Sequence, residues 1–202
     1  CGKMGFGSYL GPNSYVVGNI GRFTSIAPFV RCNSGVHPYK LPYVTTSPSF
    51  YSLNLNHSQN GSTFAKQQMF KEHMFVDNDN KWIVNIGHDC WIGEHVFMVG
   101  GVTVNNGAVV LAHAVVTKDV PPYVIMSGNP VAYHGVNAVV LSQHHNTSER
   151  ILRHIANAYR LIYQGNFSIQ DAVQKIVDQV PMSEEIENIV NFVKASERGI
   201  VK

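Results

Sequence analysis

The sequence predicts a parallel β-solenoid that is interrupted by one long loop and followed by α-helices. Three observations indicate this: an apolar period of six over residues 86–120, the loss of that period over residues 38–82, and a helical period after residue 147. A period of six matches neither a helix, which repeats every 3.6 residues, nor a simple alternating strand. It is typical of short strands joined by tight corners, with three strands in each turn of the coil.

The clearest sixes run from residue 86 to residue 120, and two places in each six are predicted to point inward. The first place is always apolar: Ile86, Ile92, Met98, Val104, Val110 and Val116. The fifth is small or β-branched: Cys90, Val96, Val102, Ala108, Ala114 and Val120. Residues 18 apart should lie above one another, as Ile86 over Val104 and Ile92 over Val110. Glycines are expected at the corners because a positive φ costs them little: Gly87, Gly93, Gly101 and Gly107.

A weaker series of sixes precedes the long loop. Its predicted inward residues are Leu10, Val16, Ile20, Ile26 and Cys32. The glycine-rich residues 1–9 are expected to be a frayed lead-in or part of a further coil. The series breaks at residues 33–38, and the solenoid is expected to resume near Trp82 and to run to about Pro130.

The inserted loop, about residues 38–82, contains no sixes. A loop of this length in a compact domain is usually functional or disordered. Its aromatic content argues against disorder and favours packing, including packing against a neighbouring subunit. The aromatic residues are Tyr39, Tyr43, Phe50, Tyr51, Phe64, Phe70, Phe75 and Trp82.

The apolar period becomes helical from Thr147 onwards. Thr147 or Ser148 is a predicted N-cap of a first helix that stops at residues 165–166, and Ser168 of a second. A third helix is predicted from Ser183 to near Gly199. We therefore divide the chain into a solenoid domain, residues 1–134, and a C-terminal helical domain, residues 135–202. The helices are expected to cover the open end of the solenoid, which would otherwise expose strand edges.

Composition excludes several classes of function. The formal net charge of +2 predicts no strong attraction to nucleic acid. No segment approaches the ~18 uninterrupted apolar residues of a membrane span, and no signal peptide is recognised. Cys32 and Cys90 fall at or near apolar repeat positions, so we expect buried free thiols and a cytoplasmic, reducing location. No pair of cysteines or histidines has zinc-finger spacing, so no metal is expected.

His37 is the leading candidate for a catalytic residue, because it lies where the repeat breaks and the loop departs. Acyl transfer to a hydroxyl needs a base with a pKa near neutrality, and imidazole provides one. The base would take the acceptor proton, the acceptor would attack a thioester, and an N–H donor would hold the oxyanion. Alternative bases are His57 and His73 in the loop and His113, which is expected to face a groove beside Lys118.

Residues 10–134 resemble the CatB-like branch of the hexapeptide-repeat acyltransferases. The resemblance lies in the repeats and in the break, Asn33-Ser-Gly-Val-His37. It implies a left-handed parallel β-helix, His37 as catalytic base, and acetyl-CoA bound between two subunits of a homotrimer. The sequence TTSPSFY at residues 45–51 and Phe-Lys-Glu at residues 70–72 are similar to loops of surface-polysaccharide O-acetyltransferases rather than of antibiotic-modifying members.

The same resemblance implies two sets of binding residues. Those expected to contact coenzyme A are Glu94, Ala112, Thr117, Lys118 and, in the closing Gly-Asn-Pro, Asn129. Those expected to contact the acceptor are Asn33, Tyr39, Phe50 and Tyr51. The chain departs from the family pattern at Glu94, where a small residue is usual. It also departs at residues 131–134, which lack the usual basic side chains.

A second resemblance covers the C-terminal part. The segments GNPVAYHGVN (residues 128–137), AYRLIYQGNFSIQDA (residues 158–172) and SERGIVK (residues 196–202) are similar to UDP-N-acetylglucosamine acyltransferases of lipid A synthesis. That family takes its acyl group from an acyl carrier protein docked on basic residues, where this chain has Gln143-His144. Its base lies inside the repeats in an Ala-His setting, which keeps His113 as a candidate.

These observations predict an acetyl-CoA-dependent O-acetyltransferase that acts on a sugar hydroxyl of a bacterial surface polysaccharide or its precursor. One alternative is a nucleotide-sugar acyltransferase with a carrier-protein donor. Another is an acetyltransferase of chloramphenicol or streptogramin antibiotics. A third, of a different class, is a non-catalytic scaffold, because some solenoids only bind or stack.

Overall fold

The computed structural model describes residues 2–54, 63–144 and 146–201. Within these ranges the first part of the chain is a left-handed parallel β-helix of three sheets. The first sheet contains β1 (Lys3–Met4), β3 (Gly18–Ile20), β6 (Val84–Ile86) and β9 (Val102–Val104). The second contains β2 (Tyr9–Leu10), β4 (Ser25–Ile26), β7 (Trp91–Ile92), β10 (Val109–Val110), β12 (Val124–Ser127) and β13 (Ala132–Val136). The third contains β5 (Arg31–Asn33), β8 (Phe97–Val99) and β11 (Val115–Val116).

The register of the strands confirms the period of six. Ile86 lies beside Val104 in the first sheet, and Ile92 lies beside Val110 in the second. All twelve side chains predicted to point inward over residues 86–120 are buried. Of the five predicted before the loop, four are buried and Leu10 is partly buried against the same core. The interior is therefore a continuous column of apolar side chains, one layer for each coil.

Residues 3–10 form a regular coil. Its two strands, β1 and β2, pair in parallel with β3 and β4 of the next coil. The glycines between them allow the close turn that the first corner needs, and Gly7 has a φ of +74°. Of the two expectations for this segment, the structure supports a further coil.

The prediction that the corner glycines provide positive φ holds for Gly101 and Gly107 only. Gly87 and Gly93 do not have positive φ, and their role is close packing between coils. A Cβ atom on Gly93 would lie 2.5 Å from the backbone nitrogen of Ala112, and one on Gly87 2.7 Å from that of Asn106. The positive φ falls two residues later, on Asp89 and His95.

The inserted loop leaves the solenoid after β5 and returns at β6, at the corner between the third and first sheets. Its two ends are joined by antiparallel hydrogen bonds. The backbone N–H of Val36 donates to the carbonyl of Glu72, and that of Met74 donates to the carbonyl of Ser34, each over 2.9 Å. One 3₁₀ turn, Pro48–Phe50, lies within the loop. The candidate base His57 is outside the described residues.

Three α-helices follow a short π-helical segment, Val140–His144. They are α1 (Glu149–Tyr163), α2 (Ile169–Gln179) and α3 (Glu184–Ala195). Ser148, Ser168 and Ser183 cap them as N-cap residues, each accepting a hydrogen bond from the backbone N–H three residues later. No helix in the described ranges has the length and apolar character needed to cross a membrane.

Helix α3 ends at Ala195 and not near Gly199, because the next residues bind the last coil. We call residues 196–201 the C-terminal strap. The hydroxyl of Ser196 donates to Asp119 over 2.6 Å. The backbone of Asp119 also exchanges hydrogen bonds with Gly199 and Val201. Extended pairing with the solenoid thus replaces the final helical turn.

The helices pack over the end of the β-helix. The buried side chain of Tyr159 in α1 donates a hydrogen bond of 2.5 Å to the carbonyl of Pro122. Apolar residues of all three helices belong to the same buried cluster as the solenoid interior. The final coil is therefore covered by helices on the side that no further parallel strand occupies.

Candidate active site

His37 lies four residues beyond β5, at the start of the inserted loop. The loop base beneath it is closely packed on the next coil. A Cβ atom on Gly100 would lie 2.2 Å from the carbonyl oxygen of Met74 and 2.9 Å from the Cα of Ser34. The imidazole itself is exposed. A rigidly held backbone with an accessible side chain is the arrangement that a proton-transfer group requires.

The position of the His37 imidazole is set by two hydrogen-bond partners. Its Nδ1 atom lies 2.9 Å from the carbonyl oxygen of Thr46 and 3.0 Å from the hydroxyl of Tyr51. A carbonyl oxygen can only accept, so Nδ1 carries the proton and donates it to Thr46. The lone pair is then on Nε2. This neutral tautomer is the one that can take a proton from an acceptor hydroxyl.

Tyr51 lies behind the imidazole and is only 2% exposed. Its ring meets Tyr43 and Phe70 edge to face, with centroids 6.4 and 5.5 Å away. Burial, and then the nearby Glu72 carboxylate, raise the pKa of its phenol, so the hydroxyl stays protonated and donates to Thr46 over 3.2 Å. Tyr51 was expected to contact the acceptor, but its burial makes it a support for His37 instead.

A cavity of about 250 Å³ opens beside His37. It is formed by the first residues of the loop and one aromatic residue from its return: Val36, Pro38, Tyr39, Lys40, Leu41, Tyr43 and Phe70. The Tyr39 side chain is 79% exposed at its rim, and the Lys40 ammonium lies 5.3 Å from the centre of that ring. The cavity thus offers an aromatic surface and a charge next to the His37 side chain.

Two other residues expected to contact the acceptor have different positions. Phe50 is stacked on Phe64, with ring centroids 5.3 Å apart, and does not line the cavity. The side-chain oxygen of Asn33 accepts a hydrogen bond of 3.0 Å from the backbone N–H of Gly35. Asn33 therefore shapes the turn at which the loop departs, four residues before His37.

The residues expected to contact coenzyme A occupy several positions on this protomer. Glu94 and Ala112 are at the corner between the second and third sheets, whereas Thr117 and Lys118 follow β11 at the next corner. Asn129 is in the exposed turn after β12. Thr117 lies two strands along the third sheet from Asn33, about 10 Å at the usual strand spacing. One chain therefore does not bring all five residues onto one surface with His37.

His113 does not lie in a groove beside Lys118, because β11 separates them. Its ring stacks on His95 with centroids 5.0 Å apart, and His95 stacks on Phe29 over 4.9 Å. Stacking of successive coils brings these three rings into one column at the corner. At the same corner, Nε2 of His95 lies 3.6 Å from Oε1 of Glu94. His113 remains exposed, so its position alone does not exclude a role as base.

His73 is the other candidate base within the described residues. Its Nδ1 atom lies 3.0 Å from the hydroxyl of Ser34, and its ring stacks on Phe75 at 5.8 Å. Both contacts are at the base of the loop, and His73 does not line the cavity beside His37.

Comparison with known proteins indicates the family. A family model described as UDP-N-acetylglucosamine O-acyltransferase, domain 2, matches residues 119–201. The acyl-[acyl-carrier-protein]–UDP-N-acetylglucosamine O-acyltransferase of Halorhodospira halophila is 30% identical over 151 residues, 61% of this chain and 58% of that protein. The enzyme of that name from Burkholderia lata is 30% identical over 155 residues, with 61% and 59% covered. The chain therefore spans less than two thirds of the length of these relatives.

Solved structures show the same fold over almost the whole chain. A UDP-N-acetylglucosamine acyltransferase from Bacteroides fragilis matches with a TM-score of 0.54 and 26% identity, covering 98% of this chain and 81% of that chain. The chain is therefore similar in sequence and fold to UDP-N-acetylglucosamine acyltransferases, which are hexapeptide-repeat acyltransferases. A Campylobacter jejuni UDP-N-acetylglucosamine acyltransferase, 14% identical with a TM-score of 0.50, covers 99% of this chain and 95% of its own and shares the fold.

Two groups near the site were not predicted from the sequence. One is the carbonyl of Thr46, since a backbone acceptor leaves no signal in a residue pattern. The other is Arg198 in the C-terminal strap, whose guanidinium donates to the carbonyls of Gly100 and Thr117 over 2.7 and 3.0 Å. Arg198 thus places a positive charge at the corner from which the loop departs, although it is 98 residues from Gly100 in the chain.

Proposed function

We propose that this protein transfers an acyl group from a thioester to a sugar hydroxyl, with His37 as general base. The hydrogen bond from Nδ1 of His37 to the carbonyl of Thr46 is the observation that carries the proposal. Nε2 takes the hydroxyl proton while the hydroxyl oxygen attacks the thioester carbonyl. The tetrahedral intermediate then expels the thiolate, which receives the proton back from Nε2. No covalent enzyme intermediate is required.

The names of the relatives support a sugar acceptor, since they specify O-acylation of UDP-N-acetylglucosamine. The cavity beside His37 also fits a sugar. Tyr39 offers an exposed ring and hydroxyl, Tyr43 adds aromatic surface, and Lys40 offers a hydrogen-bond donor. We assign the acceptor to a bacterial surface polysaccharide or its precursor, because the loop sequence at residues 45–51 resembles that of enzymes acting on such polymers.

For the donor we propose acetyl-CoA. The second candidate is an acyl carrier protein, which is favoured by the match of residues 119–201 and by the donor named for the relatives. Against it, the position before the first helix where carrier-binding relatives are expected to be basic is the uncharged Gln143. Residues 118 and 198 supply positive charge at the loop corner instead, which suits the phosphates of coenzyme A.

We propose further that the active unit is a homotrimer, since the predicted donor contacts are divided between corners of one chain. Several large side chains on the outside of the β-helix support self-association, because single chains rarely leave a contiguous apolar surface uncovered. Tyr9 and Trp91 project from the second sheet, with Phe6 and Phe23 at its corner, and all four are at least half exposed. Sedimentation should show a trimer for the wild type and a smaller species for Trp91→Glu.

The proposed compartment is the cytoplasm. Cys32 and Cys90 are both buried and unpaired, which is the state that a reducing environment maintains.

A test of the function combines donors, acceptors and variants. Acetyl-CoA and an acyl carrier protein are each offered with UDP-N-acetylglucosamine, a surface polysaccharide oligomer and chloramphenicol, and product is measured by mass spectrometry. We expect acetyl-CoA with the oligomer to react, and His37→Ala to lower kcat by about 10²–10⁴-fold. His113→Ala and His73→Ala are controls that should retain activity. A His37→Ala rate within twofold of wild type would reject His37 as the base, and inactivity with every pair would favour the scaffold alternative.

A further inference from the structure

A second cavity, of about 450 Å³, lies between the solenoid and the helical domain. Its wall is formed by the corner after β11, the first turn of α2, the end of α3 and the C-terminal strap. The lining residues are Lys118, Ile169, Gln170, Val173, Val193, Lys194, Ser196, Gly199 and Ile200. It shares no lining residue with the cavity beside His37.

Two lysines give this second cavity a positive charge. Lys118 and Lys194 both line it, and no aspartate or glutamate does. Within residues 2–54, 63–144 and 146–201, neither ammonium group is within ion-pair distance of a carboxylate. The carboxylate of Asp119 lies behind Ser196, where it accepts hydrogen bonds from that hydroxyl and from the backbone N–H of Thr103 and lies near Arg198. Among the residues that the structure describes, the two lysines thus have no carboxylate as a counter-charge.

The start of helix α2 adds to the positive potential. Ile169 and Gln170 are its first two residues and both line the cavity. Backbone N–H groups in the first turn of a helix have no partner within the helix, and the dipole of an 11-residue helix favours an anion there. The cap by Ser168 satisfies the N–H of Asp171 and leaves those of the first two residues available.

The floor of the cavity is apolar. Val173, Val193 and Ile200 line it, and each is at most 6% exposed. A site for a free inorganic ion would need no such surface. Two ammonium groups and a helix N-terminus above an apolar floor suit a charged group that carries an uncharged portion.

We propose that this cavity binds a diphosphate ester, with the diphosphate between Lys118, Lys194 and the N-terminus of α2 and the uncharged portion on the apolar floor. Two negative groups in sequence match the two separate ammonium groups, and each would form a charge-assisted hydrogen bond. Coenzyme A and a nucleotide-sugar share this chemistry. The choice of these two ligands rests on the proposed function, in which Lys118 is already expected to contact coenzyme A, but binding at this cavity does not require His37.

Isothermal titration calorimetry tests the site with three probes: inorganic pyrophosphate, coenzyme A and UDP-N-acetylglucosamine. The double variant Lys118→Gln/Lys194→Gln should raise the Kd of the bound probe at least about tenfold, as expected for the loss of two charged contacts. Lys175→Gln is the matched control, because Lys175 is on α2, whose first turn lines the cavity, but its ammonium lies over the ring of Phe167, 4.6 Å from the ring centre. It should change the Kd less than twofold.

Each outcome bears on the site separately from the reaction. Lysine-dependent binding of coenzyme A makes the ligand the donor, and lysine-dependent binding of the nucleotide-sugar makes it the acceptor. The same titrations in His37→Ala should give wild-type affinities, so failure of the proposed base leaves this result intact. Lack of binding by all three probes, or an unchanged Kd in a double variant with a normal thermal midpoint, would overturn the proposal.

Discussion

The Nδ1 atom of His37 lies 2.9 Å from the carbonyl oxygen of Thr46, nine residues further along the same loop. Because the partner is a backbone atom, the loop conformation itself holds the imidazole in one tautomer. A carbonyl oxygen can only accept, so the proton stays on Nδ1 and Nε2 carries the lone pair. The long loop therefore both places the imidazole and selects its reactive nitrogen.

Tyr51→Phe should lower kcat about three- to tenfold, as expected for one hydrogen bond of about 1 kcal/mol. The hydroxyl contacts Nδ1 of His37 and also donates to Thr46, so its loss loosens the imidazole but leaves the carbonyl in place. KM for both substrates should stay the same, because the buried ring does not line the cavity. Steady-state kinetics on Tyr51→Phe, with Tyr15→Phe as a surface control, measures the effect. A change in KM alone would indicate contact with substrate.

Gly93→Ala should destabilise the β-helix by about 1–3 kcal/mol, the range of an overpacked core. Its Cβ atom would lie 2.5 Å from the backbone nitrogen of Ala112 on the next coil, and a backbone atom cannot move without shifting that coil. Gly35→Ala is the control, since its Cβ atom would meet nothing nearer than 3.4 Å. Urea unfolding monitored by circular dichroism compares the two. Equal midpoints would show that the coils are further apart than described.

Cys90 should resist alkylation in the folded protein. Burial raises the pKa of its thiol to about 12, from an ordinary value of 9.0, which leaves about a thousandfold less thiolate at pH 8. The pKa of this thiol is higher in the folded than in the unfolded state. The stability that the buried, protonated thiol contributes is therefore complete below pH 9 and is lost as the pH rises towards 12. Peptide mass spectrometry after iodoacetamide treatment, with urea-unfolded protein as the control, should find Cys90 modified only when unfolded.

Asp119→Asn should change how stability varies with pH. Burial raises the pKa of the Asp119 carboxyl above its ordinary value of 3.8, despite hydrogen bonds from Ser196 and Thr103. The protonated carboxyl therefore contributes stability that is fully present below the pKa of the unfolded state. This stability is lost as the pH rises through the pKa of the folded state. Asparagine does not titrate, so the stability of the variant relative to wild type should increase as the pH rises above the ordinary carboxyl pKa of 3.8. Denaturant unfolding at several pH values measures it, and a constant difference would contradict the assignment.

The repeating part of the fold was predictable because the apolar positions in each group of six residues indicate which side chains are buried. All twelve inward side chains over residues 86–120 are buried as predicted, since the inside of a narrow coil accepts only apolar groups at fixed spacing. The three serine N-caps were predictable for the same local reason. The predicted end of α3 lies beyond the observed end, because residues 196–201 form contacts with Asp119 in place of helical hydrogen bonds. Asp119 is 77 positions before Ser196 in the chain.

The candidate site was predictable only in part. The break in the sixes identified His37, because an interruption of a strict period is visible in one sequence. The support from Thr46 and Tyr51 was not, since it depends on how the loop folds back. The role of Gly93 was also misjudged: a glycine that allows positive φ and one that allows close packing look alike in a sequence.

The sequence by itself determined the period of six, the direction of the core side chains and the point where the coil opens, since these follow from interactions within one repeat. Only the tertiary structure decided which atoms surround the His37 imidazole. It also decided that Lys118 of the solenoid meets Lys194 and the start of α2 at one cavity. The physical reason is distance along the chain: a local pattern encodes burial, whereas contacts between remote segments depend on how whole elements pack.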